Sequence, residues 1–430
     1  MILKPMIRNN ICLNSHPQGC AKVVRDEIEY VRQHLATGRQ VAGQQVAWQK
    51  TAGQKTACGE GIPRLALVVG CSTGYGLASR VAAAFGYGAA TVGVSLEKPA
   101  SAAKPGTPGW YNNRVFDMEA VKGGIPARTL NGDAFSFEMK TTAAAAVREA
   151  AAAAGIPPMI DLFVYSLASP VRTDPRNGTM YRSVIKPIGK IYTGKTLDML
   201  TGKISVASME PALKEEIDDT VKVMGGEDWE LWIEALEKEG VLSPSVRTVA
   251  YTYIGPELSW PIYKNGSIGR AKEDLERACG AINGRFAGEG GSGRRAWVSV
   301  NKALVTRASA VIPIIPLYVS CLFKVMKEKG LHEGCIEQIV RLYKERLYTP
   351  QGARDPAKVP VDGEGRIRLD DREMRENIQE ETAALMEKVT EENVFTVSDA
   401  GGFRHDFLEA HGFDVPGIDY DLEVDPAVVV

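Results

Sequence analysis

The sequence lacks the features that mark membrane proteins and nucleic-acid-binding proteins. It has no apolar run approaching the roughly 18 residues needed to cross a bilayer, and its first residues, MILKPMIRNNICLNSHPQGC, lack the apolar core of a signal peptide. Its 51 lysines and arginines are balanced by 53 aspartates and glutamates, so no net field recruits a polyanion. We therefore expect a cytoplasmic protein that binds neither a membrane nor nucleic acid, and we expect a monomer.

Paired cysteines and metal-binding spacings are also missing. The seven cysteines are scattered and form no Cys-x-x-Cys motif, and the five histidines show no ligand spacing. The sequence therefore predicts reduced thiols and no metal site. The hydrophobic fraction of 44% and the charged fraction of 24% are those of a folded enzyme and not of a disordered chain.

Six short apolar runs indicate parallel β-strands. They lie at 65–70, 90–95, 127–130, 161–166, 247–254 and 296–301. Uninterrupted apolar character is typical of strands covered on both faces, and helical stretches separate the runs. The pattern predicts an α/β protein with an enlarged, Rossmann-type, doubly wound parallel sheet, whose dinucleotide-binding core comprises 63–170 and 241–325.

Three stretches exceed what such a core needs, and we expect all of them to belong to one enlarged unit. Residues 36–62 have little periodicity and are predicted to form a loop. Residues 171–240 are predicted to form an inserted lid or substrate segment, with small hairpins followed by a helix that carries Trp229 and Trp232. Residues 326–430 are predicted to form a helical extension.

A glycine-rich turn is the strongest local signal. Gly70, Gly74 and Gly76 directly follow the first strand and stand at the mouth of a helix. Glycines let the backbone approach a pyrophosphate, whose charge the free N–H groups of the helix stabilise, and the hydroxyls of Ser72 and Thr73 can add donors. The motif indicates dinucleotide binding, although a plain turn between strand and helix would have the same pattern.

Acidic residues after later strands support the same interpretation. Glu97 lies 21 residues after Gly76 and can accept hydrogen bonds from the adenosine ribose, and it would repel a 2′-phosphate, which favours NADH over NADPH. Asp133 follows the third strand and either meets the adenine or serves as a turn aspartate. Leu167 and Ala168 follow the fourth strand, where the cofactor ribose would lie.

A tyrosine close to a lysine would suit a reduction that builds negative charge on a carbonyl oxygen, because the phenol can donate to that oxygen. Tyr263 and Lys272 are candidates. On one continuous helix they would face different directions, so they can cooperate only if Tyr263 precedes the helix, with Ser267 as its N-cap. Spacing alone leaves a surface tyrosine and lysine as the simpler interpretation. Tyr253 is a second candidate donor, or a core tyrosine, and Thr306 is predicted to face the nicotinamide.

Long blocks of the sequence resemble bacterial trans-2-enoyl-CoA reductases, the group that includes the FabV-type enoyl-acyl-carrier-protein reductases. The blocks include GCSTGYGLASR, GYGAATVGVSLEKP, VYSLASPVRTDP, YTYIGPE, IYKNGSIGRAK and VSVNKALVTRASAVIPIIPLY, and the resemblance runs from residue 1 to about 420. It implies a fold related to the short-chain dehydrogenases and an NADH-dependent reduction of trans-2-enoyl-CoA, or of the enoyl-acyl carrier protein, in fatty acid metabolism.

The resemblance also implies roles for individual residues. Tyr263 would be the catalytic acid, Lys272 the lysine of a Tyr-x8-Lys pair that also contacts the cofactor, and Tyr253 a substrate contact. The implied cofactor-lining residues are Gly70, Cys71, Ser72, Thr73, Gly74, Tyr75, Gly76, Leu96, Glu97, Asp133, Ala134, Leu167, Ala168, Leu304, Val305 and Thr306. The family usually has phenylalanine at the position of Leu96.

Other functions remain open on the sequence. A non-catalytic, NAD-binding redox sensor would share the glycine turn, and so would an alcohol or ketone dehydrogenase, although those enzymes space their tyrosine and lysine by three residues. A basic cluster in the insertion suggests a site for the phosphates of the acyl carrier, or else a solvated surface. Its members are Arg172, Arg176, Arg182, Lys186, Lys190 and Lys195.

Overall fold

The structure, a computed structural model, describes residues 1–8, 11–35, 61–198, 200–288, 293–306 and 315–428. The predicted loop at 36–62 lies outside the described residues except for its last two. Among the described residues, no helix is long and apolar enough to cross a membrane.

Strands and helices alternate through the first two thirds of the chain, and helices dominate the last third. The strands are β1 Ile7–Arg8, β2 Ile11–Cys12, β3 Leu65–Val69, β4 Ala90–Ser95, β5 Ala127–Asn131, β6 Ile160–Tyr165, β7 Val171–Thr173, β8 Met180–Arg182, β9 Tyr192–Leu197, β10 Ile204–Met209, β11 Leu242–Thr252, β12 Arg295–Val300 and β13 Ile367–Arg368. The α-helices are α1 Pro17–His34, α2 Gly74–Val81, α3 Pro108–Lys122, α4 Phe137–Ala154, α5 Lys214–Met224, α6 Glu227–Lys238, α7 Ser267–Gly288, α8 Ile315–Glu328, α9 Cys335–Leu342, α10 Pro350–Arg354, α11 Glu376–Lys388, α12 Val394–Val397 and α13 Ala400–Glu409.

Seven of these strands form one parallel sheet in the order β13-β12-β11-β6-β3-β4-β5. The six strands predicted from apolar runs are all present, which confirms the doubly wound parallel sheet. The seventh, β13, was not predicted, because its two residues pair only with Ser299 and Val300 and show no apolar run. The predicted helical extension therefore also supplies an edge strand to the sheet.

Helices cover both faces of the sheet, as the apolar runs indicated. In β3, Ala66 and Val68 pack against α1, α2 and α9, whereas Leu65, Leu67 and Val69 pack against α4, α6 and α7 on the other face. This alternation follows from the two-residue period of a strand. A third apolar cluster surrounds α8 and packs beside the carboxyl ends of β11 and β12.

The insertion contains two antiparallel hairpins, β7 with β8 and β9 with β10, followed by α5 and α6. The hairpins and the helix with Trp229 and Trp232 were predicted. Both tryptophan side chains are fully buried and lie in the same cluster as the sheet residue Phe163. Helix α6 therefore covers the sheet directly, whereas the hairpins lie near its carboxyl edge.

Candidate active site

The glycine turn after β3 has the close backbone contacts that its sequence predicted. Gly70 has a φ of 85°, and a Cβ on Gly76 would lie 1.9 Å from the carbonyl oxygen of Gly70. Helix α2 begins directly afterwards, and its N-cap Thr73 makes no side-chain capping bond. A side chain at Gly76 would force the turn apart, so glycine is required for the helix N-terminus to stand open to an anion.

Glu97 lies beside this turn, where the acidic partner of a ribose was predicted. The hydroxyl of Ser72 donates to its Oε1 over 2.7 Å, and the side-chain amide of Asn131 bonds both its backbone N–H and its carbonyl oxygen. A Cβ on Gly109, in the first turn of α3, would lie 2.2 Å from the same Oε1. The carboxylate is therefore held in one place by Ser72, Asn131 and Gly109, and the sequence had not singled out Gly109 or Asn131.

The other predicted adenosine contacts flank Glu97. The Leu96 side chain is 72% exposed directly after β4, which leaves an apolar side chain open to a ligand. Asp133 accepts a hydrogen bond from the amide of Phe135 over 2.9 Å, so it does serve as a turn aspartate. Ala134 is buried beside it. Leu167 and Ala168 directly follow Ser166, whose backbone N–H donates to the carbonyl oxygen of Val69.

The segment after β12 faces the glycine turn from the other side. Leu304 is buried in the cluster around α8, and the methyl group of Thr306 lies 3.9 Å from the position of a Cβ on Gly74. The hydroxyl of Tyr75 donates to the carbonyl oxygen of Lys302 over 3.1 Å, which ties the first turn of α2 to this segment. Gly74, Tyr75 and Thr306 are therefore brought together, and their role in lining a cofactor stays a prediction.

Tyr263 lies in a tight turn before α7, and Lys272 lies in the second turn of that helix, which is the arrangement their cooperation required. The prediction that Ser267 caps the helix was wrong: Ser267 is the first helical residue, and its hydroxyl donates to the carbonyl oxygen of Val184 in the insertion. A Cβ on Gly269 would lie 2.5 Å from the carbonyl oxygen of Tyr263. Gly269, which the sequence did not single out, allows the turn to lie against the helix.

The two side chains differ in charge and environment. Burial raises the pKa of the Tyr263 phenol, and the nearby Glu373 carboxyl raises it further, so the hydroxyl keeps its proton. Burial lowers the pKa of the partly buried Lys272 to about 8. Among the described residues, Lys272 has neither a hydrogen-bond partner nor an ion-pair partner, and its ammonium group is therefore available to a ligand.

Tyr253 follows β11, and its ring meets that of Tyr263 edge-on, with 5.0 Å between the ring centroids. Its hydroxyl donates to Oε1 of Glu373 over 3.0 Å, and the hydroxyl of Tyr318 donates to the same oxygen over 2.7 Å. Glu373 and Tyr318 come from the last third of the chain and were missed by the sequence analysis. No motif marks either residue, because their pairing with Tyr253 exists only in three dimensions.

Half of the six basic residues in the insertion are neutralised within the fold. Arg172 pairs with Glu227, Arg176 pairs with both Asp174 and Glu227, and Lys186 pairs with Glu216. The three remaining side chains are exposed and form no ion pair in the described part of the chain; they are Arg182, Lys190 and Lys195. A phosphate site on this surface could use only that smaller set without breaking existing pairs.

Comparison with known proteins identifies the family that the chain resembles. Family models described as the NAD(P)H binding domain and the catalytic region of trans-2-enoyl-CoA reductase match residues 2–102 and 104–348, and a model described as an enoyl reductase FAD binding domain matches 361–424. The trans-2-enoyl-CoA reductase [NADH] of Treponema denticola is 55% identical over 99% of both chains. The enoyl-[acyl-carrier-protein] reductase [NADH] of Chromohalobacter salexigens is 47% identical over 99% of this chain and 98% of its own. The crystal structure of the Treponema denticola enzyme in complex with NAD superimposes with a TM-score of 0.88, covering 99% of this chain and 98% of that one.

Proposed function

The chain belongs to the family of trans-2-enoyl-CoA reductases, which are NADH-dependent oxidoreductases, and from this premise we propose that it reduces the carbon–carbon double bond of a trans-2-enoyl-CoA, with Tyr263 as the acid. The observation that carries the proposal is the position of Tyr263. It lies in the turn before α7 with its proton retained and beside Tyr253, and α7 itself carries Lys272, which forms no ion pair with any residue that the structure describes.

NADH fits the residues at the carboxyl edge of the sheet. The turn Gly70–Gly76 and the open N-terminus of α2 would hold the pyrophosphate, and the fixed carboxylate of Glu97 would accept the ribose hydroxyls. Leu96, Asp133 and Ala134 would border the adenine. Leu167, Ala168 and the segment Leu304–Thr306 would border the nicotinamide ribose and ring. When bound, NADH supplies the hydride.

The chain's own residues would manage the charge that the reduction creates. A hydride added to the β-carbon leaves an enolate whose oxygen needs a donor, and the Tyr263 hydroxyl can donate to it and then supply the proton that the α-carbon takes up. Lys272 would hold the nicotinamide ribose and favour negative charge on the phenol oxygen. Tyr253 would contact the thioester carbonyl.

Free coenzyme A is the carrier we propose. The relative named for CoA is 55% identical, and the one named for the acyl carrier protein is 47% identical, over nearly whole chains in both cases. An enoyl-acyl carrier protein is the second candidate, because both carriers present the same phosphopantetheine thioester to the site. Initial rates with the same acyl chain on both carriers decide between them.

Residues 361–424 do not fit a flavin dinucleotide, despite the description of the family model that matches them. A dinucleotide pyrophosphate needs an open helix N-terminus. Helix α11 carries Glu376 in its first turn, and α13 is capped by Asp399, whose side chain accepts a hydrogen bond from the amide of Gly402. The two longer helices of this segment therefore carry a carboxylate in the first turn or at the N-cap, which disfavours a phosphate there, and α12 has only four residues; no step is assigned to a flavin.

The test is the steady-state oxidation of NADH with crotonyl-CoA by the wild type and by Tyr263→Phe. Loss of one donor to the enolate oxygen should lower kcat by about 10²–10³, whereas NADH binding, measured by fluorescence, should remain. Tyr181→Phe, in the hairpin β7–β8, is the matched control and should keep full activity. No turnover by the wild type would favour the redox sensor, and near-normal kcat in Tyr263→Phe would remove this residue from the mechanism.

A further inference from the structure

Glu373 joins three elements that border the candidate site. Its Oε1 lies 3.0 Å from the hydroxyl of Tyr253 and 2.7 Å from the hydroxyl of Tyr318, and its Oε2 accepts the backbone N–H of Ala303 over 2.7 Å. The residue has no exposed surface. Ala303 directly precedes the segment Leu304–Thr306, so one carboxyl group contacts both the proposed substrate tyrosine and the backbone that leads to the proposed nicotinamide site.

The directions of two of these hydrogen bonds are fixed by their surroundings. The side-chain amide of Gln379 donates to the hydroxyl oxygen of Tyr318 over 3.2 Å, which leaves the Tyr318 proton for Glu373. The Ala303 amide can only donate. The bond between Tyr253 and Glu373 is the one whose direction depends on where a proton resides.

A phenol has one proton, so Tyr253 cannot donate to two acceptors at once. When Glu373 is ionised, Tyr253 donates to it and has no proton left for a substrate carbonyl. When Glu373 is protonated, its own O–H can donate to Tyr253, and the Tyr253 proton can then point to the substrate. The proposed role of Tyr253 as a hydrogen-bond donor to the substrate therefore depends on whether Glu373 is protonated.

We propose that Glu373 is a positioning residue that holds a proton in the reactive complex and, by donating it to Tyr253, turns the Tyr253 hydroxyl onto the thioester carbonyl. This inference rests on the proposed function. Glu373 itself transfers no proton to the product, because the α-carbon proton comes from Tyr263. Its contribution is the direction of one hydrogen bond.

The charges around Glu373 are compatible with the protonated form. Burial raises the pKa of Glu373, and the Asp370 carboxyl raises it further, against the lowering effects of Lys302, of the Tyr318 hydroxyl and of the Ala303 amide. Burial lowers the pKa of Lys302 to about 8, which weakens the cation that would otherwise hold Glu373 ionised. A carboxyl group kept neutral in an apolar site so that it can donate a hydrogen bond has precedent in enzymes.

Glu373→Gln tests the proposal, because a glutamine cannot ionise. Its amide oxygen can accept from Ala303 while its NH2 group donates to Tyr253, as the protonated acid would. Unlike the acid, the NH2 group cannot accept the Tyr318 hydroxyl, and the resulting loss does not depend on pH. The ratio of variant to wild-type kcat should rise with pH, by roughly tenfold across the titration of Glu373, because the wild type loses the donor as Glu373 ionises and the variant does not. A ratio that is below one and constant across the range would overturn the proposal, since a merely structural role or a required carboxylate gives that result.

Two controls separate this effect from a general loss of charge. In the Tyr253→Phe background the hydroxyl is absent, so adding Glu373→Gln should leave no pH-dependent ratio. Asp370 is a buried carboxyl on the same segment that pairs with Arg368 instead of a tyrosine. Asp370→Asn should therefore give no rise; its ratio should fall where Glu373 titrates, because losing this carboxyl lowers the pKa of Glu373, and a rise like that of Glu373→Gln would overturn the proposal.

A second variant keeps the test usable if Glu373→Gln does not fold. Tyr318→Phe removes a donor that lowers the pKa of Glu373. The fall of kcat at high pH should then move to higher pH, and an unchanged position or a move to lower pH would overturn the inference. Failure of the proposed function would look different, because Tyr263→Phe would then turn over at the normal rate. If Tyr263→Phe is slow but the ratio of Glu373→Gln to wild-type kcat does not change with pH, only the inference about Glu373 is rejected.

Discussion

Replacing Gly109 by alanine should relax the preference for NADH over NADPH without touching the cofactor directly. A Cβ at this position would lie 2.2 Å from Oε1 and 2.5 Å from the carboxyl carbon of Glu97, and 2.7 Å from the Cβ of Ser72. Ordinary contact begins near 3.4 Å, so the Glu97 carboxylate must move by more than about 1 Å and give up its bond to Ser72. Alanine is otherwise favourable in a helix, and the fold should survive.

The size of the effect follows from the charge on Glu97. A 2′-phosphate placed where Glu97 would bond the ribose lies roughly 4 Å from the carboxylate, and two unit charges at that distance repel by about 4 kcal/mol at an effective dielectric of about 20. A separation of about 5 Å lowers the repulsion to about 3.3 kcal/mol. The difference of about 0.8 kcal/mol corresponds to roughly a fourfold narrowing of the NADH preference in Gly109→Ala, whereas Glu97→Ala should approach the full effect.

The measurement is the ratio of kcat/KM for NADH to kcat/KM for NADPH at saturating thioester. Gly284→Ala is the matched control, because Gly284 is also helical and a Cβ there meets no atom within 4 Å. Its ratio should equal that of the wild type. The reasoning about Glu97 is refuted if the wild type uses both cofactors equally, and the reasoning about Gly109 is refuted if a folded Gly109→Ala keeps the wild-type ratio.

Three further outcomes are expected. Lys272→Met should lower both NADH affinity and kcat. In the Glu373→Gln background, where residue 373 cannot ionise, kcat/KM should fall above about pH 8 as the Lys272 ammonium loses its proton, and adding Lys272→Met should abolish that fall; a retained fall would assign the proton to another group. Changing Arg182, Lys190 and Lys195 together to glutamine should raise the KM for the CoA thioester and leave the KM for NADH unchanged. High salt should raise the wild-type KM for the thioester in the same way, because it screens exposed charges. An unchanged thioester KM in the triple variant would exclude a phosphate site at these residues. Burial lowers the pKa of His16 to about 4, so between about pH 6.5 and pH 4 the unfolded state binds the proton more readily than the folded state. The free energy of unfolding should therefore decrease by up to about 3 kcal/mol as the pH falls through that window. Urea unfolding of His16→Asn, which can still accept the Gly19 amide but does not titrate, should show a smaller loss, and an equal loss would assign the effect to other groups.

The parallel sheet could be predicted because its signal is local. A strand buried on both faces is apolar along its whole length, and β3, β4 and β6 were each visible as one uninterrupted run. Strand β13 could not be predicted in this way. One of its two residues, Ile367, is apolar and the other, Arg368, is charged, so they form no apolar run. They form a strand only because the edge of β12 is available to pair with them.

The residues of the candidate site also differ in whether a local pattern in the sequence predicts them. The glycine turn and Glu97 were predictable, because close approach to a phosphate requires glycine at fixed spacing after a strand. The cooperation of Tyr263 with Lys272 rested on the resemblance, since spacing says nothing about the turn that Gly269 permits. Glu373 lies 120 residues after Tyr253, and no pattern within the sequence joins them.

Charge partners show how much of the basic cluster is left for a ligand. The insertion has six lysines and arginines between 172 and 195, and the sequence suggested a phosphate site. Arg172 and Lys186 find their carboxylates 55 and 30 residues further along the chain, on α6 and α5. Much of the local excess of charge is therefore internal to the fold.

Both halves of the candidate site depend on residues far from the glycine turn. The hydroxyl of Tyr111, in the first turns of α3, accepts the amide of Gly106 over 3.1 Å and donates to the carbonyl oxygen of Pro426 over 2.6 Å. These bonds hold the turn that presses Gly109 onto Glu97, just as Glu373 holds Tyr253. The dinucleotide core supplies the surface on which a cofactor lies, whereas the last third of the chain contacts Tyr111 of α3 through Pro426 and contacts Tyr253 through Glu373. Changes near Pro426 should therefore alter cofactor preference before they alter the sheet, because β3 and β4 are paired to their neighbours independently of that contact.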